Sequence, residues 1–228
     1  VPCRNPVPGR LDYWTDHAFL SRCNREFHVG RYEECIALVR EMQARGKRVF
    51  LKSTAPKHFV GSVEATESPE GALGDMAYSF MDGGPLLMVQ EFVDILYEYR
   101  FFVVDREIVT SSPNMVSLTP LDYLLPHDTV YRTPSSRLPE IVPGLFGEYC
   151  DLVRGVAAEM DTDHACVDVA MIAGKPGVVE FNPMQIGQIG LFACDVRALA
   201  AASETLVRGY RPKPPCALAD DADAPFLD

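Results

Sequence analysis

The spacing of apolar residues changes several times along the chain, and each change marks a predicted element. Residues 1–30 are rich in proline and arginine with weak periodicity, except that Tyr13, Trp14, Phe19 and Leu20 fit one short helix over Leu11–Leu20. Tyr32, Cys35, Ile36, Val39 and Met42 then fall three or four apart, one face of an amphipathic helix, with Gly46 as its stop. Val49–Lys52 reads as a short strand, led in by Lys47-Arg48. Residues 53–67 read as a polar loop around Lys57 and Gly61 that includes a second short strand. Ser68-Pro69-Glu70 opens another helix, because serine caps and proline suits the first turn. That helix runs to about Met81, where Asp82-Gly83-Gly84-Pro85 ends it.

Leu86–Val93 is a buried-looking strand, and Glu98–Val104 and Glu107–Thr110 flank Asp105-Arg106 as a hairpin. Residues 111–142 are proline-rich and lack a period, which predicts a long loop of the kind that carries function or mobility. Pro143–Met160 is a second amphipathic helix. Ala165–Ile172 and Val178–Phe181 form a second hairpin across Ala173-Gly174-Lys175-Pro176. Asp195 caps a last helix to Val207, and from Arg211 the chain turns Pro-rich and then acidic, the composition of a disordered tail.

Composition narrows the function classes. A chain of 228 residues suits one large domain or two small ones, and 47% hydrophobic with 23% charged residues suits a real core. The net charge, 21 − 32 = −11, argues against nucleic acid as a partner, since phosphate neutralisation needs clustered cations. A nucleotide held by a few local cations stays open. No apolar run nears the roughly 18 residues of a membrane span, so no membrane partner is expected. Seven cysteines, odd in number, spread out and without a CxxC pair, speak against a disulfide framework or a zinc site and for a cytoplasmic location.

Three segments carry candidate chemistry. In the second hairpin, Asp168 lies opposite the Glu180-Phe181-Asn182 run, and Glu180 and Asn182, two apart, share a strand face. Three hard oxygen donors on one patch suit Mg²⁺ bridging nucleotide phosphates. Two solvated acids would be the plain alternative, but Val167, Val169, Val178, Val179 and Phe181 make this hairpin apolar. Leu87-Met-Val-Gln90-Glu91-Phe-Val93 is a good core strand whose backbone at Glu91 and Val93 can serve an adenine ring, with Asp94 placed for a ribose. Lys52 ends a strand and Lys57 precedes Gly61, so both can supply cations. Arg100 lies in an apolar strand, where an unpaired charge is costly and a forked cation suits phosphate, carboxylate or a salt bridge to Glu98 or Glu91.

The order strand-Lys52, Gln90-Glu-Phe-Val93, Glu98-x-Arg100, Asp168 and Glu180-x-Asn182 resembles the ATP-grasp superfamily over roughly residues 47–195. The resemblance implies an α+β fold of two lobes, antiparallel strands with outer helices, holding ATP between them. It implies a short, reduced or trimmed N-terminal segment (1–46), an N-terminal lobe (47–94), a C-terminal lobe with the magnesium site (95–210) and the acidic tail (211–228). By the same resemblance Lys52 contacts the α- and β-phosphates, Lys57 and Gly61 belong to the phosphate loop, Gln90, Glu91 and Val93 read adenine, Asp94 meets ribose, Arg100 serves the γ-phosphate, and Asp168, Glu180 and Asn182 ligate Mg²⁺. The implied activity is an ADP-forming carboxylate–amine ligase using ATP and Mg²⁺. Its substrates would be a small-molecule or peptide carboxylate and an amine or thiol, and a homodimer stays open. The phosphate loop lacks the several glycines usual in that superfamily. A second resemblance, to the cell-division-cycle chaperone family of the same fold, implies instead a non-catalytic ATP-binding assembly factor.

Overall fold

A computed structural model describes residues 11–55, 58–81, 83–113, 142–184 and 194–208. Lys57, most of the 111–142 stretch and the tail from Arg211 lie outside these described residues.

The first sheet has strand order β1-β4-β2-β3, all antiparallel: β1 (Phe27–Gly30), β2 (Val49–Ser53), β3 (Val60–Val63) and β4 (Leu87–Glu91). After α1 (His17–Leu20), helix α2 (Tyr32–Ala44) lays Tyr32, Cys35, Ile36, Val39 and Met42 on this sheet, against Val49, Leu51, Leu87 and Val89. Gly46 follows with φ +75°, a conformation that costs glycine least, so the helix ends there. Burial of this stripe, at roughly 25 cal/mol per Å² of apolar surface, is what holds α2 in place.

The second sheet has order β6-β5-β7-β8, again antiparallel: β5 (Ile95–Val104), β6 (Glu107–Pro113), β7 (Ala165–Ile172) and β8 (Lys175–Asn182). Helix α3 (Pro69–Leu73) belongs with the first sheet; α4 (Leu145–Glu159) packs Tyr149, Val153 and Val156 against Tyr99, Phe101, Val103 and Val167. On the opposite face, α5 (Val196–Arg208) sets Leu199 with Phe102, Cys166 and Cys194. Both predicted hairpins close through two residues of positive φ, Asp105-Arg106 and Ala173-Gly174, the twist that matches paired strands.

Several elements differ from the sequence expectation. The Leu11–Leu20 helix is split into a 3-10 turn, Tyr13–Thr15, and α1, because Asp16 leaves the helical conformation and caps the Ala18 N–H. Ser68 does cap Gly71, but the helix ends at Leu73: Gly74 has φ +53°, and Gly74–Phe80 continues as 3-10. Strand β1 has no counterpart in the sequence pattern. It is four residues at a sheet edge without alternating burial, so it leaves no period-two signal.

Residues ahead of position 47 serve both cores. Tyr13 and Phe19 pack with Phe181 of β8, at 6.1 Å between ring centres in each case, while α2 and β1 belong to the first sheet.

Candidate functional site

Ser112, Arg100, Asp168 and Glu180 are successive partners across β6, β5, β7 and β8. Directly opposed residues point to the same side of an antiparallel sheet, so these four make one polar row across an otherwise apolar sheet. Simple alternation would put Val178, Glu180 and Asn182 on one face. The structure instead inserts a β-bulge: Asp168 pairs with Glu180 but Val169 pairs with Val178, leaving Val179 as the extra residue. The bulge shifts the phase, so Val178 and Phe181 enter the core while Glu180 and Asn182 join the polar row.

Arg100 grips Asp168 with two parallel bonds, Nε to Oδ1 at 2.7 Å and Nη2 to Oδ2 at 2.6 Å. Asp168 is fully buried. Burial pushes its carboxyl up to about 7, against the downward pull of Arg100. Asn182 Nδ2 donates to Asp168 Oδ2 and to Glu180 Oε1, each at 3.0 Å. Lys52 crosses from the first sheet to pair with Glu180 Oε2. Burial works against both charges of this pair, yet each holds the other ionised: Lys52 lies above its ordinary value and Glu180 below its own. Tyr13, whose phenol meets Met88 Sδ at 3.7 Å, closes this corner, and burial pushes it up to about 12.

The remaining sequence-predicted residues divide. Gly61 lies on β3 opposite Leu51, and a Cβ there would meet only the ring tip of Phe59, at 3.0 Å. Val93 and exposed Asp94 lie in the three-residue link from β4 to β5, the covalent connection between the two sheets. Gln90 and Glu91 are otherwise engaged. Gln90 is buried and its Oε1 accepts from Arg25 Nε at 2.8 Å. Glu91 pairs with Lys47 at 3.1 Å, and its N–H donates to the Glu26 carbonyl at 2.9 Å. The Glu91 N–H, which the sequence offered to an adenine ring, is therefore taken, because β4 is an inner strand with β1 beside it. Arg25 escaped the sequence reading. It sits in a segment without periodicity, and only its charge beside Phe27 and Val29 hinted at a buried partner.

The donor chemistry fits a hard divalent cation. Among the described residues no three His, Cys, Asp or Glu side chains gather as a metal site; the set here is two carboxylates and one amide. The Asn182 amide lies within 3.0 Å of one oxygen of each carboxylate, with its N–H₂ toward them. Turning that amide by half a rotation presents Oδ1 instead, and the set is then three oxygen donors, the ligand type Mg²⁺ takes.

The model of the family described as ATP-grasp domain, R-2-K clade family 2, matches residues 24–202. D-cycloserine synthetase DcsG shares the fold with TM-score 0.53 at 16% identity, over 87% of this chain and 69% of that one. ATP-grasp ligase PsnB, in a complex with a phosphomimetic variant of a minimal precursor, Mg and ADP, gives 0.49 at 15%, over 84% and 54%. D-alanyl-alanine synthetase A from Vibrio cholerae O1 biovar eltor gives 0.49 at 12%, over 83% and 59%. The chain thus spans about half the length of PsnB. No curated protein matches it. The chain belongs to this ATP-grasp domain family, with the ATP-grasp fold of the superfamily.

Proposed function

We propose that this ATP-grasp domain is an ATP- and Mg²⁺-dependent ligase, which activates a small-molecule or peptide carboxylate as an acylphosphate for attack by an amine or thiol. The observation that carries the reading is the contact of Lys52, from one sheet, with Glu180, in the Arg100–Asp168–Asn182 cluster of the other. An ion pair between lobes, next to a set of hard oxygen donors, is where a triphosphate between the sheets would find both a cation and metal ligands.

In this reading each residue takes one part. Asp168, Glu180 and Asn182 would hold Mg²⁺, which when bound would supply positive charge against the triphosphate. Arg100 keeps Asp168 oriented through its two bonds, so its part here is positioning. Lys52 leaves Glu180 and offers its ammonium to the phosphates. The backbone of Val93 in the interlobe link meets the adenine, and Asp94 meets the ribose. By the family resemblance Lys57 and Gly61 would belong to the phosphate loop, whose part is to keep water from the acylphosphate.

A carboxylate oxygen attacks the γ-phosphorus and ADP leaves; the amine then attacks the acyl carbon, inorganic phosphate leaves with the bonding pair, and the amine proton passes to solvent.

The test is ADP release against a matrix of carboxylates and amines. Release that needs one acid and one amine together, and that falls at least 100-fold in Lys52→Met, supports the ligase. Tight Mg-ATP binding with no acid- or amine-dependent release across the matrix favours the non-catalytic assembly factor instead.

A further inference from the structure

The segment Arg22–Gly30 runs along the edge of the second sheet and then becomes the edge of the first. The Arg22 carbonyl accepts from the Val178 N–H at 2.9 Å, and Asn24 Nδ2 donates to the Pro176 carbonyl at 2.7 Å. Two residues later, the Glu26 carbonyl accepts from the Glu91 N–H, and β1 pairs with β4. The chain thus crosses between the sheets twice, at Arg25–Glu26 and at Phe92–Asp94, and the first crossing is bonded to Gln90 and Glu91, the end of β4 just before the second.

Arg25 sits at the first crossing and its guanidinium is spent on both sides of it. Nη1 donates to the carbonyls of Cys23 and Val178, both at 2.9 Å, and Nη2 donates to the Val179 carbonyl at 2.8 Å. Nε donates to Gln90 Oε1 at 2.8 Å on β4. Val179 is the bulge residue of β8, the extra one that the ladder leaves without a partner of its own. Its carbonyl needs a donor, because a backbone oxygen shut away from water without one is costly. Arg25 supplies it. The next residue is Glu180.

We propose that Arg25 is a positioning residue. By holding the Val178 and Val179 carbonyls it fixes the bulge that turns Glu180 and Asn182 toward Asp168, and by holding Gln90 it ties that bulge to the strand leading into the interlobe link. This rests on the magnesium and ATP reading above and adds a residue that touches neither. The magnesium-ligand geometry and the nucleotide end of β4 are then coupled through one guanidinium. Gln90 in this account serves Arg25 and does not read adenine.

The test is the affinity of the full chain for AMPPNP by calorimetry, with excess Mg²⁺ and with EDTA. The quantity of interest is the ratio of the two dissociation constants, the gain that Mg²⁺ confers. Arg25→Met removes every contact but can also unfold the protein; Gln90→Leu leaves the β8 contacts and cuts only the tie to β4. In Arg25→Met that stays folded by circular dichroism the ratio is expected to fall at least 10-fold, and in Gln90→Leu, which keeps the β8 contacts, at least 3-fold, each with binding in EDTA changed less than 3-fold. Gln90→Glu keeps an acceptor for Arg25 and should recover at least half of the lost ratio on a logarithmic scale. A merely structural role would lower stability and leave the ratio alone, and that result overturns the inference. Equal weakening with and without Mg²⁺ means that Gln90 touches the nucleotide itself, and overturns it as well. A wild type whose AMPPNP binding gains nothing from Mg²⁺ refutes the site reading itself, and this inference falls with it.

Discussion

Replacing Arg100 by Leu would strand a carboxylate in the middle of the second sheet. Asp168 is completely buried, and its two oxygens accept from Arg100 at 2.7 and 2.6 Å. After the replacement Asp168 keeps one neutral donor, Asn182 Nδ2 at 3.0 Å. Breaking a buried pair by removing one partner costs about 3–5 kcal/mol, because the survivor must either stay charged in dry surroundings or take up a proton there. With a urea slope of about 2–3 kcal/mol per M, the unfolding midpoint falls by about 1–2.5 M. Arg154–Asp151 is the internal control: its 2.7 Å ion pair is 67% and 79% exposed, and Arg154→Leu should cost less than about 1 kcal/mol. The double replacement of Arg100 and Asp168 by Leu should recover most of the loss, since apolar residues of similar volume often replace a buried pair without net cost. Urea titrations of the four proteins decide it. An Arg100→Leu loss no larger than that of Arg154→Leu would refute the view that the polar row is held together by a desolvated ion pair.

Two further outcomes follow from the same contacts. Phe19 is fully buried and meets Tyr13, Phe27 and Phe181 at 4.9, 5.0 and 6.1 Å between ring centres, so Phe19→Ala should cost about 3–5 kcal/mol in urea unfolding, more than an isolated N-terminal helix could. Glu26 is pulled from 4.5 down to about 2, first by the hydrogen bond from Arg45 and then by Lys47, with burial opposing. A depressed carboxylate stabilises the fold above its unfolded value and loses that contribution as pH falls through about 2, so wild type should exceed Glu26→Gln in stability at pH 6 and match it near pH 2, as thermal melts across that range would show.

The parts of the fold written as long regular periods were legible in the sequence. The α2 stripe from Tyr32 to Met42 and both hairpins stand where the pattern puts them, because each buries one face of a repeating element. Asp195 caps α5 as read, accepting from the Arg197 and Ala198 N–H groups at 2.9 and 3.1 Å. What escaped was set by contacts between distant residues. Strand β1 exists because β4 offers it an edge, and nothing in Phe27–Gly30 alone marks it. The one-residue bulge at Val179 is invisible to a period-two reading, though it decides which face Glu180 takes. The meeting of Asp168, Glu180 and Asn182 was legible from spacing and resemblance; the employment of Gln90 by Arg25, 65 residues away in sequence, was not.

The proposed site binds Mg-ATP through Glu180 and its neighbours. Urea unfolding of wild type and Glu180→Ala, each with and without Mg-ATP, tests it most directly. A ligand that binds only the native state adds about 2.7 kcal/mol at 100 times its dissociation constant. A stabilisation of that order is expected in the wild type, and its loss in the variant. No stabilisation of the wild type at millimolar ATP and Mg²⁺, or one of equal size in Glu180→Ala, would contradict it.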